Sequence, residues 1–298
     1  MEMRKLGNTD LQVSRLGLGL AEIGFELGTG EEQQASRVLN AALDAGINFL
    51  DTAACYSDSE VLIGRSVAHR RDEFILATKA GHSTNGYPGR SWTAKTVTDS
   101  IERSLRRLKT DRLDLVQLHS CDLEVLQQGE VIQALLDAKR AGKTRYVGYS
   151  GDNEAALWAV KSGHFDTLQT SFSLVDQRAR TDLFPEAEAR GLGVIVKRPI
   201  ANAVWGGNDS APAPYRQRAR DMRQVGPVPE APDDPILLAL GFTLAYEAVD
   251  TAIVGTKNPD HVQANIEMVE HALPIAREAV DELQRRYDEL VDDGRQQG

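Results

Sequence analysis

Cysteine is nearly absent: 298 residues hold only Cys55 and Cys121, which excludes a disulfide framework and, with six scattered histidines, argues against a metal site. Positive charge is short as well. With 34 basic and 44 acidic side chains the formal net charge is −10, so a phosphate backbone would be repelled and nucleic acid is not expected as a partner. Long apolar runs are missing too: the longest stretch, Pro235 to Tyr246, is too short to span a bilayer, so no membrane association is expected. Met1-Glu2-Met3-Arg4 leads into no apolar segment, so no secretory signal is expected and the cytoplasm is the expected location. What is present is ordinary for a globular chain, 41% hydrophobic and 26% charged, and residues 1–298 fit one domain if that domain is an α/β barrel.

One pattern recurs: an amphipathic helix, a glycine, then a short apolar strand. Ala35, Val38, Leu39 and Ala42 fall at helical spacing, Gly46 follows, and Ile47-Asn48-Phe49-Leu50 comes next. Gly142, Gly163 and Gly191 repeat the arrangement, each at a position where a left-handed turn suits a residue without Cβ. Tight helix-to-strand succession predicts parallel strands joined by helical crossovers. Strands are expected near Arg15–Gly19, Ile47–Asp51, Phe74–Lys79, Leu113–His119, Arg145–Ser150, Thr167–Thr170, Gly193–Lys197 and Thr251–Val254. Eight such units predict a closed (β/α)8 barrel, the TIM-barrel architecture. The competing doubly wound sheet places a glycine-rich loop and a helix after its first strand. Leu16-Gly17-Leu18-Gly19-Leu20 with Gly24 offers the glycines, but no helix is expected there, so the dinucleotide fingerprint fails. Residues 3–14 read as a hairpin turning at Gly7-Asn8, placed to floor the barrel. Ile275, Val280, Leu283, Tyr287 and Leu290 predict an extra C-terminal helix. Residues 199–235, rich in Pro, Gly, Ala and Arg without sustained period, read as a long loop after strand seven.

In such barrels, reactive side chains stand at the C-terminal ends of strands. Apolar runs here end in Asp51, followed by Tyr56, in Lys79 and in His119. The stretch Gly46-Ile47-Asn48-Phe49-Leu50-Asp51-Thr52-Ala53 with Tyr56 resembles the aldo-keto reductase superfamily. So do Ala77-Thr78-Lys79, Leu115-Val116-Gln117-Leu118-His119 and Val254-Gly255-Thr256-Lys257-Asn258-Pro259, and the resemblance covers nearly the whole chain. It implies a barrel that binds a nicotinamide dinucleotide at its mouth and reduces an aldehyde or ketone, with Asp51, Tyr56, Lys79 and His119 as the catalytic set.

Chemistry asks for the same side chains. Reduction of a carbonyl builds negative charge on oxygen, which needs a proton donor. A phenol with its ordinary pKa of about 10 donates poorly at neutral pH. An ammonium ~4 Å away stabilises the phenolate by about 4 kcal/mol at an effective dielectric near 20, before desolvation opposes it. Lys79 fits that role, with Asp51 keeping it charged, Tyr56 as the acid, and His119 as a second donor to the substrate oxygen. Taken singly each residue has a plainer reading: Asp51 and Lys79 a structural ion pair, Tyr56 a packed aromatic, His119 a buried ring. Their succession at strand ends favours catalysis. Cys55 and Cys121 read as small buried hydrophobes.

The cofactor set follows from the resemblance and from strand ends. Gly19, Ser150, Gln169 and Lys197 end their strands, and Ser150 and Gln169 resemble positions that bind the nicotinamide carboxamide. Asn153 reads as a cap of the following helix. Asn258-Pro259-Asp260 signals a helix N-terminus that suits phosphates, and Thr256 and Asn265 match contacts to the 2′-phosphate region and the adenine. Members preferring NADP(H) often carry lysine where Gly255 stands and arginine where His261 stands. Lys257 either compensates or is a solvated lysine, so NADP(H) is favoured and NAD(H) is allowed. Gly151 replaces a usual asparagine, and Lys197 a usual stacking aromatic. Trp92 and Trp205 are candidates for a substrate wall, whereas Trp158 reads as outer packing. Oligomeric state is not predicted. Two other functions stay open: a nucleotide-binding regulatory barrel with negligible turnover, and a Schiff-base lyase or aldolase using Lys79 or Lys197.

Overall fold

The computed structural model describes residues 1–84 and 87–292. A hairpin of β1 (Met3–Lys5) and β2 (Gln12–Ser14) precedes β3 (Leu16–Gly19), β4 (Phe49–Asp51), β5 (Ile75–Ala80), β6 (Leu113–His119), β7 (Thr144–Ser150), β8 (Thr167–Ser171), β9 (Gly193–Lys197) and β10 (Thr251–Gly255). Strands β3 to β10 pair in parallel with their chain neighbours, and β10 closes onto β3, so the sheet is a barrel without edges. The eight strands and their order agree with the sequence reading, with ends shifted by one or two residues.

The helices form because the apolar residues recur at helical spacing. In Ala94–Leu108, Val97, Ile101 and Leu108 are buried with the small Ser100 and Ser104. Thr93 caps the first turn by accepting from the Thr96 amide, and Lys109 in the left-handed region ends the helix. The outer ring also includes Glu32–Asp44, Ser59–Ser66, Glu130–Arg140, Asn153–Ser162, Leu183–Arg190, Pro235–Leu244 and Pro259–His271. The final helix, Arg277–Asp292, buries Val280, Leu283, Tyr287 and Leu290 as expected. Among the described residues no helix is long and apolar enough to cross a membrane.

The period of two along each strand determines what fills the barrel. Leu6, Leu11 and Val13 from the hairpin pack with Phe49, Ala77, Leu115, Ile195 and Ile253, so the hairpin does floor the barrel with an apolar layer. Two residues further along the same strands come Asp51, Lys79, Gln117, Lys197 and Gly255. The polar layer therefore begins directly above the hydrocarbon one, at the C-terminal mouth.

Two expectations need correction. A helix, Ala21–Glu26, does open after the first barrel strand, because Leu20, Ile23 and Leu27 bury one face of it. The barrel nevertheless closes, so the rejection of a doubly wound sheet stands on topology rather than on that loop. The segment 199–235 is not one loop: it contains a 3-10 stretch, Ala201–Gly206, and a helix, Ala213–Gln224. Tyr215, Ala219 and Met222 bury one face of that helix, and Arg218 is buried beside them with its guanidinium on the Val175 carbonyl at 3.5 Å, so charge masks the period in the sequence.

Candidate active site

Asp51, only 2% exposed, is the centre of the polar layer. Its Oδ2 is paired with Lys79 Nζ, and its Oδ1 accepts from Gln169 Nε2 at 2.9 Å and Gln117 Nε2 at 3.2 Å. Lys79 Nζ also donates to the Thr52 carbonyl at 3.0 Å. A buried ion pair is tolerated only when its remaining bonding capacity is met, and here two side-chain amides and a carbonyl meet it. Burial opposes the charged form of Lys79, but Asp51 and the neighbouring Tyr56 outweigh it, so its pKa is raised and the ammonium persists.

Tyr56 sits in the turn after β4. The helix Ala21–Glu26 presses on this turn at Gly24, where a Cβ would lie 2.2 Å from the Tyr56 carbonyl oxygen. The phenol ring lies with its centroid 5.1 Å from Lys79 Nζ and 5.4 Å from the ring of Phe25. Burial pushes the phenol's pKa up, and Lys79 recovers only part of that. The expected acidification is therefore a partial offset of a desolvation cost, and the group stays a phenol through neutral pH. His119 stands edge-on to Tyr56 with centroids 5.5 Å apart. Burial, then the charges of Lys79 and other cations, push the imidazole's pKa down to about 2, so it is neutral. Its Nδ1 lies 3.3 Å from Cys55 Sγ, and His82 packs on it at 5.1 Å.

These groups face a cleft of about 320 Å³. Asp51, Tyr56, His119, Gly19, Ser150, Gln169 and Lys197, all singled out in the sequence, line it together. Ser150 Oγ donates to Gln169 Oε1 at 2.8 Å, which orients the Gln169 amide toward Asp51. Gly19 and Gly255, on adjacent strands, leave that wall without side chains. A larger hollow of about 880 Å³ lies at the opposite, N-terminal end around Arg15, Glu247 and Ile275. Arg4 there is bound to Glu2 and Glu247.

Lys197 does not hang free in the cleft: its Nζ pairs with Asp152 Oδ2 at 3.1 Å. Asp152 also accepts from Thr170 Oγ1 and the Ser171 amide, and it, not Asn153, occupies the cap position of Asn153–Ser162. At Gly151 a Cβ would lie 2.5 Å from the Tyr149 ring, whose hydroxyl is fixed on the Cys121 carbonyl; this is why the usual asparagine has no room. Trp92 packs on His82 with centroids 4.6 Å apart, one ring removed from His119. Trp205 stacks under Arg223 at 4.9 Å and does not line the cleft; Ile200 and Asn202 of that segment do. Trp158 is half-buried against the core.

A second group flanks Gly255. Asn258 Oδ1 caps Pro259–His271 by accepting from the Asp260 amide at 3.0 Å, and Thr256 Oγ1 lies 3.3 Å from His261 Nδ1. Asn265 is buried a turn further on. Lys257 is half-exposed and paired with Glu26 rather than held in the cleft. Sequence reasoning passed over Gln117, Glu22, Arg198 and His82. The signal for Gln117 was its place two residues before His119 on one inward face. Glu22 and Arg198 sit in turns, which carry no period.

Comparison with known proteins agrees with this geometry. The profile of the Aldo/keto reductase family matches residues 15–286. An uncharacterized oxidoreductase, YqkF, of Bacillus subtilis is 30% identical over 95% of this chain and 96% of its own. L-galactose dehydrogenase of Arabidopsis thaliana is 30% identical over 90% and 88%. The solved structure of aldo-keto reductase AKR11C1 from Bacillus halodurans, in its holo form, superposes with a TM-score of 0.82 at 30% identity, covering 96% of each chain. With eight parallel strands closed into a barrel and its polar layer at the C-terminal mouth, this chain belongs to the aldo/keto reductase family of oxidoreductases.

Proposed function

We propose that the chain reduces a small aldehyde or ketone to the alcohol with NADPH, Tyr56 delivering the proton. The observation that supports this best is the joint placement of Tyr56, His119 and Asp51 on one cleft with Ser150 and Gln169, the buried Lys79 being paired with Asp51 beneath it. The family uses NAD(P)H, and the residues present fit such a dinucleotide. Ser150 and Gln169 offer hydroxyl and amide groups for a carboxamide, and Gly19 and Gly255 leave backbone exposed beside them. The capped start of Pro259–His271, with Thr256, Lys257, His261 and Asn265, offers amides and polar side chains for the adenosine phosphates. Bound there, a nicotinamide supplies the hydride in reduction and takes it back in oxidation.

As charge develops on the substrate oxygen, Tyr56 Oη gives up its proton to it. Lys79 then faces a phenolate instead of a phenol, and attraction in a site sheltered from water offsets the cost of that buried anion. Asp51 keeps Lys79 charged and aimed. His119, neutral, donates its N–H to the same oxygen and restricts where the carbonyl can sit. Trp92 is proposed as a substrate contact by way of His82, whereas Trp205, stacked under Arg223 away from the cleft, is not. The whole chain acts as one unit, and a cytoplasmic location fits its two free thiols and its cofactor. One observation favours imine chemistry instead: burial lowers the Lys197 amine. Its pairing with Asp152 opposes nucleophilic attack, and borohydride trapping of a substrate on Lys197 would support it.

The test follows absorbance loss of NADPH and NADH over an aldehyde and ketone panel. Multiple turnovers are expected, faster with NADPH, and Tyr56→Phe should lower kcat by about 10²–10⁴-fold. Full turnover in that variant would overturn the assignment, and stoichiometric binding without turnover would favour the regulatory reading.

A further inference from the structure

Cys55 is a nucleophilic side chain beside the mouth that the mechanism leaves unused. It precedes Tyr56 in the turn after β4, and its Sγ lies 3.3 Å from His119 Nδ1. The contact joins two barrel strands, since His119 ends β6. The imidazole also meets two rings edge-on, Tyr56 at 5.5 Å and His82 at 5.1 Å between centroids. His119 lines the cleft, and among the described residues Nε2 has no hydrogen-bond partner.

We propose that Cys55 is a positioning residue that fixes the tautomer of His119: its S–H donates to Nδ1, so the ring hydrogen stays on Nε2, toward the cleft. A neutral imidazole has one N–H and one lone pair, and its neighbours decide which nitrogen carries which. Two arrangements satisfy a neutral thiol beside a neutral ring. In the first, S–H donates to the Nδ1 lone pair. In the second, Nδ1–H donates to sulfur, a weak acceptor, and the Nε2 lone pair turns to the cleft. The first uses the better acceptor, and it alone leaves a donor for a carbonyl oxygen; the second sets lone pair against lone pair. The two protonation states agree with it, since burial raises the Cys55 thiol and lowers His119, so neither group ionises near neutrality. Cα connectivity adds precision: the turn that presents the Tyr56 hydroxyl also carries the thiol, so both substrate-facing donors are aimed by residues 55 and 56 together.

This inference rests on the proposed reduction only for its effect on rate; the tautomer is measurable without turnover. With 15N-labelled histidine, long-range 1H–15N spectra of the full chain, assigned by His119→Asn, are expected to show hydrogen on Nε2 and a lone pair on Nδ1. Cys55→Ala should move the Nδ1 resonance and admit a fraction of the Nδ1–H form, while Cys55→Ser, which keeps a donor, should restore the original state. In carbonyl reduction Cys55→Ala should lose three- to ten-fold in kcat with cofactor Kd unchanged, and Cys55→Ser should recover most of it. Hydrogen on Nδ1 in the unmodified chain, or nitrogen resonances of His119 indifferent to Cys55→Ala, would overturn the proposal. A chain with the expected spectra and no turnover would count against the proposed reduction and leave the tautomer assignment upheld.

Discussion

The amide of Gln169 donates to the carboxylate of Asp51 at 2.9 Å, so a residue proposed to hold the cofactor is bonded directly to one proposed to hold the ammonium. Ser150 completes the chain at 2.8 Å from Gln169. Occupancy at one end and charge placement at the other thus share a single side chain.

Gln169→Leu tests that sharing. Hydrogen bonds to charged groups contribute roughly 1.5–3 kcal/mol, so the variant should lose about 10- to 100-fold in kcat/KM and bind cofactor more weakly. Ser150→Ala, which leaves the Asp51 bond in place, should affect binding more than kcat. Cofactor titration by fluorescence beside steady-state kinetics separates the two; equal loss of kcat in both variants would contradict the link.

The phenol's raised pKa gives the two reaction directions different pH profiles. In the proposed reduction Tyr56 gives up a proton, so the rate should stay level through pH 9 and fall only beyond the ordinary phenol value of about 10. Oxidation needs the phenolate and should climb with pH over the same range. Lys79→Met removes the lowering influence on Tyr56, so its oxidation limb should move further alkaline. Initial rates in both directions from pH 6 to about 10.5 provide the check.

His119 couples stability to acidity. Its folded pKa lies at about 2, below the ordinary 6.5, so its contribution is complete above pH 6.5 and is lost progressively as pH falls toward 2. At pH 5 the loss is about 2 kcal/mol, from 1.36 kcal/mol per unit over 1.5 units. Urea melts at pH 7 and pH 5 should show the unmodified chain losing about that much more than His119→Asn. Identical losses would mean that the ring is protonated in the folded chain.

Nucleotide preference should depend on the contact between Lys257 and Glu26. An exposed pair of this kind adds ~0–1 kcal/mol to stability, so both residues can be changed without loss of fold. Glu26→Ala should free Lys257 and strengthen NADPH binding several-fold with NADH unchanged. Lys257→Ala should weaken NADPH alone. Parallel titrations with the two nucleotides decide it.

Much of this was legible in the chain. Apolar runs ending in Asp51, Lys79 and His119 announce both the strand and its mouth, because a strand's period of two places polar tips above a hydrocarbon layer. Residues that act across the sequence were harder to find. Nothing near Cys55 indicates that His119, 64 positions later, will meet it; that depends on barrel closure. Helix Ala213–Gln224 was hidden because Arg218 lies on its buried face. The short helix Ala21–Glu26 is not legible in the sequence, since two turns give too few repeats to reveal a period. The pairing of Lys257 with Glu26 is not visible along the chain, since the two lie in different units of the barrel.

Gly24 has a consequence for engineering. A single methyl group at that position would collide with the backbone of residue 56, so the first mouth helix and the turn bearing the hydroxyl have to shift as one body. Grafting a foreign loop after the first barrel strand would therefore re-aim the Tyr56 hydroxyl, however faithfully every polar side chain were retained.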